Sequence, residues 1–149
     1  MKKISLIFFF AFCALSPYAQ NLTAYGGLTH SRDKENSTSK EYRFGYCTGV
    51  LLQEGPVLYR IEVSVQNYLI EGKYIHKTSV RHGFGVQAKL FETKKEGLFL
   101  QGGIFQDRQQ AGYWLALNPQ WGKWGLRVAV DIPIAYGIEV ESLSLTYKF

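Results

Sequence analysis

From Asn21 to its last residue the chain alternates apolar and polar side chains with a period of two, in about eight separate runs. Successive side chains of a β-strand point to opposite faces, so each run reads as a strand with one apolar row and one polar row. The clearest run covers 57–70: Val57, Tyr59, Ile61, Val63 and Val65 form one row, and Arg60, Glu62, Ser64 and Gln66 the other. The remaining runs fall at roughly 21–30, 41–53, 78–91, 98–106, 111–118, 123–132 and 140–149. No stretch carries the 3.6-residue period of a helix. Charge is confined to the polar rows, and His82 is the one titratable group besides tyrosine expected on an apolar row. The runs are divided by turn signals such as Glu54-Gly55-Pro56, Glu92 to Gly97 and Asn118 to Lys123. Longer connections are expected at 31–40, 71–77, 107–110 and 133–139.

The first 19 residues do not share this pattern. Lys2 and Lys3 precede an apolar run from Ile4 to Leu15, and Ser16-Pro17-Tyr18-Ala19 follows. A charged start, a short apolar stretch and a small residue at a cut are the layout of a secretory signal peptide. The run is too short for a permanent span, which needs roughly 18 apolar residues. Domain boundaries of 1–19 for the signal and 20–149 for the β-domain follow. Loss of the signal removes Cys13 and leaves Cys47 alone, so backbone pairing and packing must hold an exported fold with no internal disulfide. The balance that remains, 15 Lys and Arg against 12 Asp and Glu, is mildly basic and gives no reason to expect nucleic acid as a partner.

Alternation leaves two architectures open. A soluble, lipocalin-like barrel that binds an apolar ligand turns its apolar rows inward; a membrane barrel turns them outward against lipid. The lengths favour the second, since a membrane-spanning strand needs about 9–11 residues and most runs have that length. Ten strands would require very short connections throughout. Aromatic residues also stand near the ends of the apolar rows: Tyr42, Tyr59, Trp124, Tyr147 and Phe149, with Trp121 close by. Tyr and Trp prefer the lipid–water boundary. In lipid an unpaired backbone group costs several kcal/mol, so an open sheet edge is not tolerated. The expected fold is all-β: a closed antiparallel up-and-down transmembrane β-barrel of about eight strands, with outer-membrane lipid as its surroundings.

The chain ends Leu143-Ser144-Leu145-Thr146-Tyr147-Lys148-Phe149. This run resembles the carboxy-terminal strand of bacterial outer-membrane β-barrels, which finishes on an aromatic residue with apolar residues at alternate positions before it. The resemblance implies that Leu143, Leu145, Tyr147 and Phe149 form a signal read by the barrel-assembly machinery. With the export segment and the eight-strand rhythm, the whole chain resembles small porin-like and adhesin-like eight-stranded barrels of the bacterial outer membrane. The Ala19-Gln20 junction resembles export signals common in Bacteroidota.

The polar rows supply one candidate cluster. Arg60, Glu62, Gln87, Lys89 and Arg127 are expected at similar depth in the lumen, with Glu62 opposite or diagonal to Gln87 if the third and fourth strands turn around 71–77. Charged side chains that fill a narrow interior need partners, and the cluster reads chiefly as a plug. The inward Gly45, Gly49, Gly83, Gly85 and Gly103 leave three roles open: room for a cavity, close packing, or strand bending. His76 and His82 are six residues apart, about 20 Å along a strand, so they cannot share a metal ion; no metal and no cofactor is expected. A lipid-modifying barrel enzyme is a further alternative. However, the lipid A deacylase family carries His-x-Ser and the lipid A palmitoyltransferase family Asp-Ser, and neither pattern occurs here. The expected protein is not an enzyme, and its role is structural or one of surface interaction through 31–40 and 71–77.

Overall fold

In the computed structural model the described residues are 22–33, 43–70, 73–108, 110–134 and 138–149. The expected signal segment, most of the 31–40 loop and Tyr42 lie outside them. Eight strands follow in order: β1 Leu22–Asp33, β2 Arg43–Glu54, β3 Val57–Ile70, β4 Lys73–Glu92, β5 Glu96–Gln106, β6 Ala111–Trp121, β7 Trp124–Pro133 and β8 Ile138–Lys148. Each pairs antiparallel with the next, and β8 pairs with β1, so the sheet closes into a barrel. Eight closed antiparallel strands are the architecture that the alternation predicts.

The turns follow from local chemistry. The β2–β3 hairpin has the two-residue loop Gly55-Pro56 between the paired Glu54 and Val57. Gly55 has φ +58°, and proline cannot follow it with a second positive φ. That combination fits a type II′ turn, whose twist matches that of the flanking strands. Gly122, with φ +63°, opens the equivalent Gly122-Lys123 turn. The β4–β5 turn is held by Thr93, whose Oγ1 accepts from the Glu96 amide at 3.0 Å.

Following the ladders once round gives the barrel's shear. Gln53 pairs Leu58, then Gly85, Gly103, Trp114, Asp131, Val140 and Ser31 in turn, and Ser31 pairs Arg43, ten residues from the start on β2. A stagger of that size over eight strands tilts them by about 40° and leaves an interior only wide enough for side chains.

The apolar rows face out all the way round. Leu28, Phe44, Phe84, Ile104, Leu115, Val128 and Leu143 are all exposed, while Arg60, Glu62, Arg81, Arg127 and Asp131 are at most 4% exposed. A bulge between Lys89 and Phe91 puts the neighbours Leu90 and Phe91 both outside. At the short-turn end Trp121, Trp124 and Phe149 are exposed, and the Trp124, Tyr147 and Phe149 rings adjoin one another at 4.8 and 5.2 Å. Tyr59 stands further along its strand, against Phe84 at 4.8 Å.

Three expectations are corrected. β4 begins at Lys73, five residues before the expected 78, so the β3–β4 connection is 71–72 and not 71–77. Glu62 therefore pairs with Arg81, not Gln87. The first residues of β4 alternate poorly because the hairpin runs past the neighbouring strands: β5 pairs with β4 only as far as His82. His82 is also not the sole titratable group on an outer row. His30 and Glu141 also face out, with His30 Nδ1 3.3 Å from Glu141 Oε2, on the loop-end half of β1 and β8. Finally, the inner rows are not purely polar. Tyr25, Leu51, Leu58, Phe99, Phe105 and Trp114 point inward, because a narrow closed interior has volume to fill that short polar side chains cannot supply.

Candidate functional site

The lumen holds a dense collection of buried charge, and it is arranged as a column. Arg127 Cζ lies 5.0 Å from the Tyr25 ring centroid and 5.5 Å from that of Trp114. Arg60 Cζ lies 5.3 Å from Trp114 and 6.0 Å from Phe105. Arg81 Cζ lies 5.6 Å from Phe105. Aromatic rings and guanidinium groups thus alternate across the barrel in the order Tyr25, Arg127, Trp114, Arg60, Phe105, Arg81. Each cation meets the electron-rich face of at least one ring, an attraction that strengthens away from water.

Glycines on nearby strands make this column possible. A Cβ on Gly49 would come 2.5 Å from Tyr25 Cζ, one on Gly85 2.5 Å from Trp114 Cζ2, and one on Gly112 2.6 Å from Phe105 Cε1. Of the three roles open from the sequence, close packing is the one that Gly49 and Gly85 fill: the rings lie where a side chain would otherwise be.

Carboxylates close the column on its other side. Arg60 donates from both Nη atoms to Asp131, with Nη1 to Oδ1 at 2.8 Å, and Arg81 Nη1 donates to Asp131 Oδ2 at 3.0 Å. Glu62 Oε1 lies 3.7 Å from Arg60 and 3.6 Å from Arg81, while its Oε2 accepts from the Tyr25 hydroxyl at 2.9 Å. Asp107 stands 3.7 Å from Arg81 Nε and accepts from Ser79 at 2.9 Å. Three guanidinium groups and three carboxylates therefore occupy the same stretch of lumen. Burial of single charges would cost several kcal/mol each; pairing with carboxylates offsets that cost for Arg60 and Arg81, while Arg127 is held by its two rings and by Gln101 Oε1 at 3.4 Å.

The structure splits the expected cluster in two. Arg60, Glu62 and Arg127 lie buried in the column. Gln87 and Lys89 stand nearer the short turns: Gln87 bonds Gln53 and Gln101, and Lys89 is exposed and pairs with Glu92 at 2.5 Å. Arg81 and Asp131, both visible on polar rows, belong with Arg60 and were not grouped with it. Asp131 on β7 comes beside Arg60 only once the barrel has closed, and the early start of β4 moves Arg81 into the place expected for Gln87. Tyr25, Phe105 and Trp114 carry one signal in the sequence, the parity opposite to Leu28, Ile104 and Leu115, which puts them on the inner rows. Of the expected assembly residues, Leu143, Leu145 and Phe149 are exposed on the outer row of β8 with Tyr147 beside them. Cys47 is buried with Sγ 3.5 Å from Ser144 Oγ. Among the described residues no three His, Cys, Asp or Glu side chains form a group that could hold a metal ion.

No family model and no curated protein matches the chain. Among solved structures it is similar to the outer membrane protein Ail of Yersinia pestis, with 10% identity over 86% of this chain and 98% of that one, at a TM-score of 0.46. It is also similar to the N-terminal β-barrel domain of Pseudomonas aeruginosa OprF, with 11% identity over 87% of this chain and 98% of that one, at a TM-score of 0.44.

Proposed function

We propose that this chain is an exported, non-enzymatic barrel of the bacterial outer membrane, with a sealed lumen, that acts through its loop end. One observation carries the membrane part: every strand exposes large apolar side chains, while Arg60, Glu62, Arg81, Arg127 and Asp131 are enclosed. Such a surface in water far exceeds the few hundred Å² of apolar patch that soluble monomers tolerate; in lipid it is the expected outer wall. A soluble lipocalin-like barrel would show the reverse facing. The sealed column supports a role other than conduction.

Residues 1–19 would be removed on export through a signal of Bacteroidota type. Leu143, Leu145, Tyr147 and Phe149 would then present the strand that the assembly machinery reads. The surface role falls to 31–40 and 71–77. In support, the β3–β4 hairpin pairs as far as Ile70 and Lys73, well beyond the end of β5, and so projects above its neighbours. In barrels of this kind the end opposite the short turns faces the outside, and on this reading the β3–β4 hairpin would stand on the cell surface.

Fractionation with a heat-shift gel tests the location. The expected result is a protein in the outer-membrane fraction whose mobility changes on boiling; release as a soluble periplasmic protein would refute it. Labelling of intact cells with an impermeant amine reagent tests the orientation, with Lys77 expected to react and Lys94 and Lys95 to be protected.

A further inference from the structure

The column leaves one cavity unfilled. Between Gln101 and the short turns a space of about 260 Å³ opens at the turn end, with Gln53, Gln87, Gln101 and Lys148 in its wall. The wall has a chemical direction that the buried cation imposes. Arginine has donors only, so Arg127 Nε, 3.4 Å from Gln101 Oε1, fixes that carboxamide with its oxygen inward. Gln101 Nε2 then donates to Gln87 Oε1 at 2.8 Å, and Gln87 Nε2 to Gln53 Oε1 at 3.3 Å. Gln53 Nε2 ends the relay on the Gly55 carbonyl at 2.9 Å.

Each of the three amide oxygens already accepts a bond from the group on its inner side. Each amide nitrogen uses one N–H in the relay and carries a second. The amide dipoles share one sense, with their positive ends toward the mouth. At the rim the Lys148 ammonium adds positive charge, and the one carboxylate in the wall, Glu92, is engaged by Lys89. Three glutamine oxygens that each already hold one bond, beside three nitrogens that each keep a spare N–H, favour a ligand that accepts. Hydrogen bonds to a charged acceptor are roughly twice as strong as neutral ones, and Arg127 beneath the relay adds its field.

We propose that this vestibule is a binding site for a small anion presenting carboxylate or phosphate oxygens, reached from the short-turn end of the barrel. The site takes a free ion or the charged end of a larger molecule, to a depth set by Gln101. The proposal depends on the amide relay and not on the membrane location, so either can fail alone.

The test is side-chain amide NMR on the folded full-length protein in detergent micelles, titrated separately with inorganic phosphate, acetate and glucose. The expected result is saturable shifts of the Gln53, Gln87 and Gln101 Nε resonances with phosphate, acetate or both, and none with glucose. The tighter of the two anions identifies the source chemistry. Gln87→Glu places a negative charge in the middle of the relay and should weaken the response about tenfold or more. Where that variant fails to fold, Lys148→Glu on the exposed rim should give the same loss. Shifts that never saturate, equal shifts with glucose, or phosphate binding undiminished in the folded variant would overturn the proposal.

Discussion

Arg60 on β3 and Asp131 on β7 meet across the full width of the barrel in a two-point ion pair. In an eight-stranded ring those strands are diametrically opposite, so this pair, with the column it belongs to, ties the two walls together and shuts the lumen.

Breaking that pair from one side should be costly. Asp131→Ala leaves the Arg60 and Arg81 guanidiniums facing each other, and a loss of about 3–5 kcal/mol is expected. Joint replacement, Arg60→Met with Asp131→Leu, should recover most of it, because an apolar filling of similar volume needs no compensation. Denaturant midpoints in lipid vesicles would measure both. A double variant no more stable than Asp131→Ala would show that the pairing does not set the cost.

The seal itself is electrically testable. The intact protein should give no conductance steps in a planar bilayer. Trp114 is the ring shared by Arg60 and Arg127, so Trp114→Ala combined with Arg60→Ala should open measurable steps. Conductance of the unmodified protein at the level of that variant would contradict a filled lumen.

Close packing predicts the effect of a single methyl group. Gly85→Ala would drive a Cβ into the Trp114 ring and the Gly102 carbonyl, an overpacking expected to cost about 1–3 kcal/mol. Near-ultraviolet circular dichroism of the Trp114 band should change with it. An unchanged midpoint and band would mean that the ring lies elsewhere.

The outer wall was legible in the sequence, and the inner one only in part. Period two assigns every residue a side, and the charge-free rows, from Val57 to Val65 and from Leu126 to Ile132, show which side meets lipid. What cannot be read is which inward residues touch, because that depends on register, and register depends on turn length. Moving the start of β4 from 78 to Lys73 put Arg81, not Gln87, beside Glu62. The contact of Arg60 with Asp131 between opposite strands, and that of Arg127 with Tyr25 across the β8–β1 seam, appear only after closure and carry no local signature. Near the loop end the alternation also loses its meaning. His30 and Glu141 keep the outer parity there, but their composition no longer resembles the rest of the belt.

The belt makes a prediction of its own. Val128 is exposed in the middle of the outer row of β7. Val128→Arg should lose about 2–4 kcal/mol in bilayers, whereas Val128→Leu should stay within about 0.5 kcal/mol of the parent. Folding titrations in vesicles would decide, and equal costs for the two would place Val128 away from lipid.

The facing of the wall is tested most directly through the three tryptophans of the chain. Variants that keep a single indole, with phenylalanine at the other two positions, are folded into bilayers whose acyl chains carry bromine. Contact quenching should be strong for Trp124 and for a Leu115→Trp reporter in the middle of the belt, and nearly absent for Trp114. Stronger quenching of Trp114 than of the other two, or quenching of none of them, would contradict a barrel that shows its apolar rows to lipid and keeps its charges inside.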